Sequence, residues 1–72
     1  MSDEISEYDV VEVTTFNPDV PEAEIGDRAA VLTVYFNAGI AVAYEVECVL
    51  PDGSNKWDGT FSSNQIRLIQ KI

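Results

Sequence analysis

Apolar residues in this chain recur at every second position in short runs, and the runs are broken by proline, glycine, asparagine and aspartate. The clearest case is Tyr44, Val46 and Cys48 alternating with Glu45 and Glu47. A period of two places one set of side chains on one face of a strand, whereas a helix would spread the same residues around its circumference. The chain is therefore expected to be all-β.

The first strand is expected at residues 8–15, where β-branched residues are frequent and Val11 and Val13 share a face against Glu12. Residues 16–27 contain Asn17-Pro18 and Val20-Pro21 and end in Ile25-Gly26-Asp27. Proline lacks the N–H that a ladder or helix interior requires, so this segment is expected to be a long acidic loop. Residues 29–36 read as a second strand, apolar on both faces, as at the centre of a sheet or in a barrel.

Asn37-Ala38-Gly39 supplies a turn into a third strand at residues 41–50, whose outward face is acidic. Pro51-Asp52-Gly53-Ser54 is a strong turn signal, because proline fixes φ before the corner and glycine accepts a positive φ within it. Residues 55–61 form the fourth expected strand, with a bulge or a tighter turn at Asp58-Gly59. Ser62-Ser63-Asn64-Gln65 resembles a serine-capped helical turn, and residues 66–72 a last strand that buries Ile66 and Leu68, with Ile69 beside them.

Five short strands, a long acidic first loop, tight hairpins and one helical turn before the last strand describe a single small five-stranded SH3-like barrel over residues 8–72. Residues 1–7 are expected to be a flexible acidic tail. Closing the sheet would remove edges that invite aggregation. A chain of 72 residues supports one domain with a small core. At 46% hydrophobic residues it is nevertheless too apolar for the disordered class.

The chain has no histidine and only one cysteine, which removes zinc sites and disulfides and leaves a meagre set of catalytic groups. It is expected to be neither an enzyme nor a holder of a cofactor or metal. Cys48 lies in an apolar alternating run and is expected to be a buried, inert thiol, in keeping with a reducing cytoplasm. Glu45 and Glu47 stand about 7 Å apart on one strand face, a spacing open to an acid–base pair but better explained as a solvated surface. The segment from Asp52 to Gly59 has calcium-loop residue types, yet Lys56 occupies a ligand position and no closing glutamate follows. The N-terminal residues are acidic where a secretory signal would be basic, and the apolar runs fall short of the roughly 20 residues that span a bilayer. No membrane association is expected, and the expected location is cytoplasmic.

Thirteen acidic residues face four basic ones, a net charge of −9. Nine of the acids (Asp3, Glu4, Glu7, Asp9, Glu12, Asp19, Glu22, Glu24 and Asp27) precede the first basic residue, Arg28. Such a field repels nucleic acid and anionic lipid and speeds encounter with a basic protein. It also serves solubility without any partner. The partner-binding residues expected from this pattern are Asp19, Glu22, Glu24 and Asp27 on the first loop, Glu45 and Glu47 on the third strand, and Trp57. Near its turn, Trp57 either covers the barrel end or stands exposed as an apolar anchor.

Tyr8-Asp9-Val10-Val11-Glu12-Val13, Ile25-Gly26-Asp27 ahead of Ala30-Val31-Leu32-Thr33-Val34-Tyr35, Ala43-Tyr44-Glu45-Val46-Glu47 and Gln65-Ile66-Arg67-Leu68-Ile69 together resemble a small bacterial family of uncharacterised SH3-like domains of about this length. The Gly26-Asp27 step into a strand is also similar to the KOW segment of transcription and ribosomal proteins, whose RNA-binding members are basic as this chain is not. The resemblance implies a fold more than an activity. From charge and size the expected function is a non-enzymatic acidic protein-binding module, an inhibitor or immunity-type protein that neutralises a basic partner such as a nuclease toxin. The alternative is an accessory or regulatory subunit of a larger complex, and the sequence leaves the oligomeric state open.

Overall fold

The computed structural model describes residues 4–72. Five strands, β1 (Val10–Val13), β2 (Arg28–Asn37), β3 (Ile40–Val49), β4 (Asn55–Phe61) and β5 (Ile66–Gln70), form one antiparallel sheet in the order β4-β3-β2-β1-β5. A 3-10 turn at Ser63–Gln65 stands between β4 and β5, preceded by Ser62 at the capping position. The Gln65 side chain closes this turn by accepting the Ser62 N–H at 2.9 Å.

The sheet is open. Its outer strands, β4 and β5, form no ladder with each other, so the closed barrel expected from the strand pattern is not what the hydrogen bonding builds. The sheet is nonetheless curled. Flat, its two edges would stand about 19 Å apart, while the five residue steps from Phe61 to Ile66 reach at most about 17 Å even when extended. The 3-10 turn shortens that reach further and packs against β3 and β5 at the mouth of the curl.

β1 is shorter than residues 8–15. Tyr8 has a φ of 72°, outside the extended region, and this ends the strand on its N-terminal side. The first hairpin turns through Ala38 and Gly39, with φ of 53° and 82°, the pair of positive values that a two-residue turn needs to match strand twist. The second turns through Pro51 and Asp52 into Gly53, whose φ is 89°, with the Asp52 carboxylate accepting the Ser54 N–H at 2.9 Å.

Val11, Val13, Val31, Val46 and Phe61 are fully buried and form the centre of the core, with Tyr44, Cys48, Trp57 and Ile66 around them. Burying each large side chain contributes roughly 1.5–3 kcal/mol. Leu68 and Ile69 are only half-buried, because β5 is an edge strand. The first loop completes the core. Val20 and Ala23 pack into it, and Asn17 is buried with its side-chain amide donating to the Thr60 carbonyl at 2.8 Å. Gly59 makes room for this loop: a Cβ there would sit 2.4 Å from Val20 Cγ2.

Residues 1–3 of the expected tail lie outside the described residues. In the rest of it, Ile5 packs against the core, and Asp9 accepts the Ser6 N–H at 2.8 Å.

Candidate protein-binding face

The expected partner-binding residues separate into three groups. Glu24, Asp27 and Trp57 converge on Lys56. The Lys56 ammonium donates to Glu24 Oε1 at 2.8 Å and to both Asp27 oxygens at 3.0 Å, and Trp57 Nε1–H donates to Asp27 Oδ2 at 2.8 Å. Trp57 is only 4% exposed and stacks tilted on Phe61 with centroids 5.3 Å apart. It therefore covers the core and is not an exposed anchor. Burial pushes the Asp27 carboxyl up, but the Glu24 N–H, Trp57 and Lys56 together outweigh it and hold the group below its ordinary value. The same two carboxylates raise the Lys56 ammonium, Glu24 contributing most.

Asp19 and Glu22 form the second group, exposed on the first loop. Asn17 accepts the Asp19 N–H at 3.0 Å, so the Asn17-Pro18-Asp19 segment is a fixed corner. This loop covers the core side of the sheet, where Val20 meets Gly59.

Glu45 and Glu47 form the third group, on the opposite face, because they alternate with the buried Tyr44, Val46 and Cys48. Asp58 joins them from β4, directly across from Glu47. Neutral donors hold all three. Thr60 Oγ1–H donates to Glu45 at 2.8 Å, and the Asn55 amide bridges Glu47 and Asp58 at 3.0 and 3.2 Å. No lysine or arginine pairs with them among the described residues. Val49 continues the strand beyond Glu47 and is half exposed, as is Leu50. Among the described residues no group of three or more acidic, cysteine or histidine side chains is arranged to hold a metal ion.

Cations are spent elsewhere. Besides Lys56, Arg67 pairs with Glu12 at 2.7 Å and Lys71 with Asp9 at 2.7 Å. Asp9 is buried, and it also accepts the Ile72 N–H at 2.9 Å; the Lys71 bond above all, against the opposing effect of burial, keeps its carboxyl below the usual range. Asp9, Glu12, Glu24 and Asp27 are thus paired with cations inside the fold, and the acids ahead of Arg28 do not form one docking surface with Glu45 and Glu47.

Sequence reasoning did not single out Asp9, Asn17 or Asp58. Asp58 had a legible signal, since its β4 position follows once the Pro51-Asp52-Gly53-Ser54 hairpin is placed. Asp9 had none, because Lys71 and Ile72, two of its three hydrogen-bond partners, lie more than sixty residues away.

Burial first, and then the Asp27 carboxylate, push the Cys48 thiol up. Residues 4–8 together with Val34 and Phe36 line a shallow groove of about 460 Å³. No helix is long and apolar enough to cross a membrane among the described residues. No family model, curated protein or solved structure matches the chain.

Proposed function

We propose that this chain is a non-enzymatic protein-binding module of the SH3-like class that docks a basic protein through Glu45, Glu47 and Asp58. One observation carries the reading: three carboxylates share a rigid strand face with neutral donors only, while three of the four cations serve acids elsewhere. Uncompensated charge of this kind draws its counter-charge from outside the molecule. Val49 and Leu50 at the end of the face supply apolar contact. Asp19 and Glu22 add long-range field from the far side.

The strand order, with β1 between β2 and β5 and a 3-10 turn just ahead of β5, supports the SH3-like reading. The buried free thiol of Cys48 supports a reducing, cytoplasmic setting. The function that fits is inhibition: an acidic face laid over the cationic groove of a nucleic-acid-cleaving enzyme excludes the phosphate backbone that groove recognises. Nucleic acid and membranes are not partners in this reading.

Isothermal titration against a basic ribonuclease, at low and at moderate salt, tests it. Binding is expected to weaken with salt and to fall at least about ten-fold in an E45Q/E47Q/D58N variant. Equal affinity of the variant and the parent would remove the proposal.

A further inference from the structure

The hairpin joining β2 and β3 extends beyond the rest of the sheet. Strand pairing with β1 ends at Ala30 and pairing with β4 begins at Tyr44, so from residue 33 to residue 43 the two strands form ladder pairs only with each other, with residues 4–8 beside Val34 and Phe36 on one side. Free backbone edges of this kind invite another strand, and monomeric proteins usually blunt them with lysine, proline or an inward charge. None of these three is present, and the irregularities of this stretch are the register shifts between Val31 and Thr33 and between Tyr35 and Phe36. Residues 29–44 contain no charged residue and no proline, in a chain of net charge −9. Leu32, Tyr35, Phe36, Ile40 and Val42 are instead exposed along this stretch, Phe36 by 62% and Ile40 by 68%.

We infer that the hairpin is a self-association surface and that its occupant is the same hairpin of a second copy, related by a two-fold axis. This goes beyond the acidic face and does not depend on it. Electrostatics favours a second copy here. Over the acidic first loop and the Glu45–Glu47 face two molecules of this charge meet acid against acid, whereas the hairpin offers the longest stretch of the chain free of charge. The five exposed side chains present on the order of 500 Å² of apolar surface divided between the two faces of the hairpin, and edge pairing adds backbone contact toward the roughly 800 Å² per partner of a standard interface. A two-fold contact uses one edge from each copy and closes at the dimer.

Salt separates this contact from partner binding. Because both copies are acidic, screening strengthens the dimer, while it weakens binding to a basic protein. Sedimentation velocity on the full chain across a concentration series, at low and moderate salt, is expected to give a monomer–dimer equilibrium that tightens with salt. An F36E/I40E variant is expected to lose at least about ten-fold in dimerisation, because each substitution enters the interface twice. Trp57 fluorescence reports whether that variant is folded. A nitroxide on an A38C variant supplies a second readout, expected to broaden residues 33–43 of unlabelled copies in a mixed sample. A monomer at every concentration, a dimer indifferent to F36E/I40E, or open-ended oligomers would each overturn the inference.

Discussion

Asp9 joins both ends of the described chain, accepting the Ser6 and Ile72 N–H groups and the Lys71 ammonium from a buried position. Removing it leaves the Ser6 and Ile72 N–H groups without their acceptor and the Lys71 ammonium with the Glu4 carbonyl in place of a carboxylate, so Asp9→Ala is expected to cost about 2–4 kcal/mol in urea unfolding followed by Trp57 fluorescence. Asp9 and Asp27 both have carboxyls held below 3.8, their ordinary value. Their stabilisation is therefore complete above that value and is lost as pH falls through the lower folded-state values, because the unfolded chain takes up protons first. The urea midpoint is expected to drop steeply below about pH 4, and less steeply in Asp27→Asn. Lys56 has the opposite sign: raised from 10.5, it contributes fully below that value and loses its contribution as pH rises through the folded one.

Each hairpin turn uses positive φ, and only one position meets that demand with a residue unsuited to it. Ala38 holds a φ of 53°. Asparagine tolerates that region better, so Ala38→Asn is expected to raise stability by about 0.5–1 kcal/mol in thermal unfolding. Gly59 shows the opposite constraint, since a Cβ there would lie 2.4 Å from Val20 Cγ2. Gly59→Ala should push the first loop off the sheet at a cost of about 1–3 kcal/mol, with amide shifts centred on residues 17–23. The strands themselves were legible, because alternation at Val11 and Val13 and at Tyr44, Val46 and Cys48 leaves one register for burial. The loop was legible as irregular, but its packing was not: Val20 and Ala23 are isolated apolar residues among acids, and only the absent side chain of Gly59 gives them a place. Trp57 was ambiguous for the same reason, since its burial depends on Asp27, thirty positions away.

At the scale of the whole molecule, charge is sorted more finely than the sequence order suggests. The acids ahead of Arg28 are partly consumed as structural ions, the β2–β3 hairpin is free of charge, and Glu45, Glu47 and Asp58 keep a face to themselves. Counting residues shows the excess of acid but cannot show which carboxylates find a lysine, because each pairing is made across the fold. The most direct measurement is a nitrogen-15 NMR titration of the full chain with a basic ribonuclease. Perturbations that cluster at residues 45, 47, 49 and 58, and fade as salt is raised, are the predicted result. Perturbations confined to the first loop or the hairpin tip, or unchanged in the E45Q/E47Q/D58N variant, would contradict it.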